Sequence, residues 1–350
     1  MKEKRRASTR KKALTVLVSL LAVVFVLLLA ATVYVEWVLG KFYYNPSDME
    51  TLSSEEIEQL LQENQGTLDP NATIIDGEDV ELGEVNLIES GDHILNILLV
   101  GQDRRPGEVR ARSDVMILVT VNTQKKSVTM ISFLRDLYVK IPGYMSNRIN
   151  IPYAVGGIDL LYETMELNFG IRPDYFVEVD FNGFRELVDL VGGVDMALTE
   201  QEAKHLNLNE DFYDFPEESW KLTEGVNHLN GKQALAYARI RKIDPTGDFA
   251  RTERQRKVIS ALMEKASSMN LLELNDLLLK MTDFISTDMT SREILSYAAT
   301  LYPVLTNLKE VNSIHLPAEN YYYSANIQNI GYVLVPNLEK NSAVIAKYQD

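Results

Sequence analysis

Apolar and polar positions divide the chain into three stretches. Residues 13–35 form a run of 23 residues without a charge. Residues 36–92 are polar and acidic, broken by Pro, Gly and Asn, with helical periodicity only across residues 53–62. From residue 94 onward, short β-branched runs alternate with helical periodicity to the C-terminus. The first strands predicted are residues 94–100 (ILNILLV), 115–121 (VMILVTV) and 128–133 (VTMISF), with NTQKKS as the turn between the last two. The second and third runs are matched in length, which predicts an antiparallel hairpin. If the first strand also pairs antiparallel with the second, three segments converge on one rim of the sheet. These are the residues after strand one (Asp103), before strand two (Asp114) and after strand three (Arg135).

Helices are predicted over residues 157–167, 182–191, 230–238 and 249–267, and from the capping box Thr290-Ser-Arg-Glu293 to about residue 300. The helix at 182 takes Asn182 as N-cap and Gly192 as C-cap, and a further strand falls at 175–181. Helices layered on a largely buried sheet predict one α/β/α domain over residues 93–350.

Charge assigns the other stretches. The first twelve residues hold seven basic side chains and one Glu, whereas the whole chain is −15. At ~1.5 Å per residue the run 13–35 reaches about 34 Å, enough for a hydrocarbon core of about 30 Å. Tyr34 and Trp37 stand at its far end as interfacial aromatics. The expectation is a cytoplasmic basic tail (1–12), an uncleaved transmembrane anchor (13–35), an extracytoplasmic acidic linker (36–92) and an extracytoplasmic domain. The alternative is a cleaved signal peptide, whose apolar region is usually about 7–15 residues. Beside a membrane span the basic tail is more simply a topology signal than a nucleic-acid arm, and no nucleic-acid partner is expected. Twelve residues are too few for a cytoplasmic DNA-binding domain.

Cysteine is absent, which excludes disulfides and thiolate metal sites, and His93, His205, His228 and His315 show no metal-ligand spacing. Arginine carries the chemistry. Eleven of the 17 arginines lie in two windows, residues 104–148 and 239–256. Clustered guanidinium groups repel one another unless an anion sits among them, and their planar forks suit phosphate. Asp103 and Asp114 flank the loop GQDRRPGEVRARSD, and Mg²⁺ uses one or two carboxylates plus water and phosphate oxygens. Salt bridges on a solvated loop would explain the same residues. Arg239 and Arg241 end a helix, where one arginine would satisfy the helix dipole but two followed by Lys242 exceed it. On the helix 249–267, Arg251, Arg254, Gln255 and Val258 share one face, while Glu253, Arg256 and Lys257 point elsewhere. A solvated face is the alternative there.

GQDRR, RSD before VMILVTV, SFLRD at 132–136, RINIPYAVGG at 148–157, YFVEVDFNGFRELVDLVGGVD at 175–195, LNGKQALAYARIRK and DFARTERQRKV together resemble the LytR-CpsA-Psr family. The resemblance covers roughly residues 92–320, with the motifs in the family's order. It implies a single α/β/α domain with a central mixed sheet behind one transmembrane helix. It also implies a ligase that moves an anionic glycopolymer, such as teichoic acid or capsular polysaccharide, from a polyprenyl-diphosphate carrier onto peptidoglycan through a phosphodiester. By the same resemblance Asp103 and Asp114 hold Mg²⁺, with Mn²⁺ an alternative. Arg112, Arg135, Arg239 and Arg241 grip the diphosphate with Gln255 close by, and Arg105, Arg148, Arg251 and Arg254 are weaker carry-overs. Asp103, Asp114, Arg135 and Arg241 are the expected catalytic set, with Asp103 and Asp136 candidates for the base. The polyprenyl chain enters an apolar pocket between sheet and helices, so the partners are the lipid-linked glycopolymer, peptidoglycan and membrane lipid. Two departures stand out: Leu134 where the family has Pro, and Arg148 where it has Lys. The same site would serve a polyprenyl-diphosphate hydrolase. A non-catalytic lipid-carrier binding or regulatory protein is the third possibility.

Overall fold

The computed structural model describes residues 34, 36–38, 40–42, 55–57, 68–69, 73–102, 112–208, 220–281 and 283–350. Apart from Tyr34, the run 13–35 lies outside the described residues. Among the described residues no helix is long and apolar enough to cross a membrane.

In chain order the strands are β1 (Ile74–Ile75), β2 (Ile94–Gln102), β3 (Ser113–Asn122), β4 (Ser127–Phe133), β5 (Tyr138–Val139), β6 (Asn147–Arg148), β7 (Tyr175–Asp180), β8 (Val194–Leu198), β9 (Gly225–Leu229), β10 (Ile285–Thr287), β11 (Glu310–Leu316), β12 (Tyr322–Ile327) and β13 (Gly331–Pro336). The α-helices used below are α1 (Ile151–Phe169), α2 (Phe181–Leu190), α3 (Glu200–Leu208), α4 (Gly231–Arg239), α5 (Asp248–Ser268), α6 (Leu271–Met281), α7 (Ser291–Thr306) and α8 (Leu338–Ala346).

The central sheet is mixed, in the order β10-β7-β2-β3-β4-β11. β3–β4 pair antiparallel, as the turn and run lengths predict, β2–β3 meet the antiparallel condition, and β2–β7 and β4–β11 are parallel. The ends of β2, β4, β7 and β11 and the starts of β3 and β10 therefore share one rim. Leu98, Val100, Leu118, Ile131 and Phe133 face α1 and α8, while Leu95, Ile117, Val128 and Met130 face α5 and α7. This is the expected three-layer arrangement. A separate core gathers α2, α3, α4 and the β8–β9 hairpin against Val258 of α5.

Local chemistry sets the boundaries. α1 starts six residues before the predicted position: Pro152 opens its first turn, and Gly157 at φ 67 kinks it internally. α2 takes Asp180 as N-cap rather than Asn182, its side chain accepting from Gly183 N at 2.8 Å. Gly192 follows the true cap, Val191, with φ +82. The predicted capping box forms at Thr290, and the structure adds a second at Asn230.

The expected linker boundary at residue 92 needs correction. Ile74–Ile75 adds a parallel strand to β12, and Leu82, Val80, Val85 and Ile88 pack on the main core. Residues 73–92 thus belong to the folded domain. Their apolar side chains are spaced too irregularly to read as an element. Residues 55–57 are helical and Ile57 also packs on that core, while the rest of the predicted helix 53–62 lies outside the described residues.

Candidate active site

Five segments bring charge to the shared rim. Arg135 and Asp136 leave β4, Asp114 is the second residue of β3, and Asp248 and Arg251 occupy the first turn of α5. Arg135 donates through NH1 to Asp114 at 3.2 Å and through Nε to Asp248 at 3.1 Å, with Asp136 3.7 Å away. Arg241, just past α4, meets Asp248 at 2.6 Å, and Arg251 reaches it at 3.2 Å. Arg148 from β6 closes the floor, 3.5 Å from Asp136. Residues more than a hundred positions apart in sequence thus surround one spot.

The electrostatics are strained in a particular direction. Burial opposes the charge on Arg135, but Asp114, Asp136 and Asp248 outweigh it and hold its pKa above the ordinary value. Arg251 is pushed down, by burial first and then by Arg135 and Arg241, despite Asp248. Arg148 is pushed down by burial and by the charges of Arg135 and Arg112. Burial, together with Asp248, raises Asp136 in spite of its arginine neighbours. Guanidinium groups weakened by burial and mutual repulsion gain from an added anion. Buried donors and acceptors also await partners: among the described residues Arg251 Nε, Gln255 Oε1, Ser113 Oγ and Asn150 Oδ1 make no hydrogen bond.

Beside the rim, one face of the sheet is unusually open for central strands. Ile97 and Leu99 of β2, Val115 and Val119 of β3, and Tyr175 of β7 are only partly buried, facing Ile259 and Met263 of α5 and Tyr297 and Leu301 of α7. On the opposite face Leu98 is fully buried and Val100 is 1% exposed. Strands inside a covered sheet normally bury both faces. Beneath α5 and α7 that face is thus incompletely covered around Ile97, Leu99, Val115 and Val119, while Ile117 and Met130 beside them are fully buried.

Among the residues singled out by sequence, Asp114, Arg135, Arg241 and Arg251 converge, with Arg148 and Arg112 alongside and Gln255 one turn along α5. Arg239 packs its guanidinium over the Phe181 ring, 4.7 Å from its centroid, where β7 ends at the same rim. Asp103 and Arg105 lie outside the described residues.

Arg254 is spent on the protein: Nε donates to Glu202 at 2.8 Å, NH1 to Ile240 O at 3.3 Å, and NH2 pairs with Asp244. Arg256 points elsewhere than Arg251, as its spacing predicts, and that direction is into the sheet. It is buried, donating at 2.6 Å to both Ser313 and Ser132, and burial lowers its pKa to about 10. Periodicity gives that angle but not the burial, which arises because α5 is enclosed by the sheet on one side and the α4 core on another. Asp248 was missed; three residues before Arg251, it reads as an ordinary helix-start acid.

Both family departures have structural consequences. Leu134 N donates to Leu316 O at 2.9 Å, a bond that proline could not make. Arg148 donates to Tyr332 O at 2.9 and 3.1 Å and to Ile330 O at 2.8 Å, tying β13 to the floor of the site.

Comparison with known proteins places this geometry. The LytR_cpsA_psr family matches residues 57–345. The polyisoprenyl-teichoic acid–peptidoglycan teichoic acid transferase TagU of Bacillus mycoides is 31% identical over 303 residues, covering 86% of this chain and 88% of TagU. A structure of TagT bound to LIIa-WTA aligns with TM-score 0.60 and 28% identity over 81% of this chain and 98% of that one. TagT with bound octaprenyl pyrophosphate lipid aligns with TM-score 0.56 and 26% identity over 81% and 98% of the two chains. With a mixed sheet, a convergent arginine rim and matches over most of its length, the chain belongs to the LytR-CpsA-Psr family.

Proposed function

We propose that this protein is a membrane-anchored phosphotransferase that moves an anionic glycopolymer from a polyprenyl-diphosphate carrier onto peptidoglycan. The observation that carries this is the arginine rim of Arg135, Arg241 and Arg251 standing beside the partly buried apolar sheet face under α5 and α7. A ligand with a diphosphate head and a long apolar tail matches both halves. The name of TagU, and the ligands of the two TagT structures, support the same ligand class.

The chemistry balances as follows. An acceptor hydroxyl oxygen forms a bond to the phosphorus that carries the glycopolymer. The bond from that phosphorus to the bridging oxygen breaks, polyprenyl phosphate leaves, and the hydroxyl proton is released. A phosphodiester joins glycopolymer to acceptor. Such a transfer needs positioning and charge neutralisation more than covalent catalysis. Arg135, Arg241 and Arg251 would hold the diphosphate oxygens, and Arg239 on Phe181 would flank them. Both oxygens of Asp136 face arginines, which suits it to orienting Arg135 and Arg148.

Asp114 fits a hard-cation ligand: one oxygen accepts from Arg135, the other has no partner among the described residues, and the carboxylate is partly exposed. With Asp103 it would hold Mg²⁺, or Mn²⁺, which when bound would screen the diphosphate charge. The basic tail and apolar run would anchor the chain in the cell membrane with the domain outside.

Arg239→Ala and Arg241→Ala test the clamp. A charge-assisted phosphate contact is worth about 1.5–3 kcal/mol, so each loss should weaken lipid-diphosphate binding roughly ten- to a hundredfold. Melting temperature should hold or rise, because repulsion is relieved. Full affinity in a destabilised variant would instead assign these arginines to the helix dipole and reject the clamp.

A further inference from the structure

We infer that Asp248 is a positioning residue: its carboxylate sets the geometry of the diphosphate clamp before substrate arrives. This rests on the clamp proposed above and names the group that assembles it. Asp248 contacts arginines from three separate elements, Arg135 after β4 at 3.1 Å, Arg241 after α4 at 2.6 Å and Arg251 of α5 at 3.2 Å. Its side chain is 13% exposed. Gly247, at φ +51, precedes it and sets the entry into α5. Asp248 is thus fixed to a rigid element, while Arg241, at 44% exposure, lies on a loop.

Each arginine meets Asp248 through a single nitrogen: Nε of Arg135 and Nη2 of Arg251 donate to Oδ2, and Nη2 of Arg241 forms an ion pair with Oδ1, which accepts no hydrogen bond among the described residues. A guanidinium has five N–H donors, so most remain for a ligand. Arg251 Nε is buried without a hydrogen-bond partner among the described residues. Asp248 therefore orders the three side chains without using them up. Left alone they would repel one another, and each would lose rotamer freedom only on binding. That loss would weaken affinity.

Charge alone predicts the opposite sign for the test. A carboxylate next to a bound diphosphate repels it, so neutralising Asp248 should tighten binding if preorganisation is irrelevant. Under preorganisation, Asp248→Asn weakens binding roughly ten- to a hundredfold, because the amide keeps one acceptor but puts a donor where a guanidinium must sit.

The experiment is calorimetric titration of inorganic pyrophosphate with Mg²⁺ into the full chain in detergent, for wild type, Asp248→Asn, Asp248→Glu, Arg241→Ala, Arg135→Ala and the Arg241→Ala/Asp248→Asn double variant. Asp248→Asn should bind more weakly and Asp248→Glu, which keeps charge and reach, should recover part of the loss. The double variant should lose less than the product of the single losses, since the two residues act through one contact. Equal or tighter binding by Asp248→Asn would overturn the positioning role. So would fully multiplicative losses in the double variant. If Asp248→Asn does not fold, a wild-type affinity in Asp248→Glu together with an unaffected Arg241→Ala overturns it. If Arg135→Ala binds pyrophosphate as wild type does, the clamp itself fails. If Arg135→Ala weakens binding and Asp248→Asn does not, only the positioning role fails.

Discussion

Replacing Arg254 of α5 by methionine separates ligand binding from fold stability. By spacing this arginine shares a face with Arg251 and Gln255 and counts as a diphosphate contact. In the structure its side chain is 6% exposed and its partner Glu202 7%. Arg254→Met removes the guanidinium while filling most of its volume. Glu202 then keeps one donor, Thr199 N at 2.9 Å, and loses its only cation among the described residues, while Ile240 O loses an arginine donor. Breaking a buried ion pair from one side costs about 3–5 kcal/mol, because an uncompensated charge stays inside. For a domain of this size each kcal/mol moves the melting temperature by about 2–4 °C, so a fall of roughly 6–20 °C is expected. Calorimetry gives the melting temperature, and pyrophosphate titration well below it gives the affinity, which should stay within about twofold of wild type. Adding Glu202→Leu should restore much of the stability, since both buried charges are then gone. A variant that melts like wild type but binds tenfold more weakly would refute this assignment and return Arg254 to the ligand.

Two further outcomes follow from the site and the N-terminus. Asp114→Asn should remain folded, because Asp114 is partly exposed and Arg135 keeps Asp136 and Asp248; Mg²⁺-dependent turnover should be lost or need far more Mg²⁺, and an unchanged Mg²⁺ titration would remove Asp114 from the metal site. Protease added to intact protoplasts should digest the domain from residue 73 onward, and its protection would contradict the proposed topology.

Short-range signals carried much of this molecule. The β3–β4 hairpin follows from two apolar runs around NTQKKS, and it alone sends Asp114 and Arg135 to one rim. The capping box at Thr290 is local hydrogen-bond chemistry and forms as read. Contacts fixed by long-range packing were not readable. Ile74–Ile75 joins β12 across some 250 residues of chain, and nothing in residues 73–92 announces a strand partner. The split of α5 into Arg251 toward the rim, Arg254 toward Glu202 and Arg256 toward Ser132 depends on what encloses the helix. Periodicity gives the angle of each side chain but not its neighbour. Asp248 escaped for the same reason, since its importance lies in Arg135 and Arg241, both distant in sequence.

The most direct test of the account is product analysis with the full chain. The purified protein is incubated with a defined polyprenyl-diphosphate-linked glycopolymer, peptidoglycan oligomers and Mg²⁺, and the products are resolved by mass spectrometry. The account predicts glycopolymer joined to the peptidoglycan oligomer by one phosphodiester, with polyprenyl monophosphate released in equal amount. It also predicts loss of both products in Arg135→Ala. Released glycopolymer phosphate with no joined product, at saturating acceptor, would show water as the acceptor and contradict the transferase. Intact lipid diphosphate bound without turnover would contradict catalysis altogether.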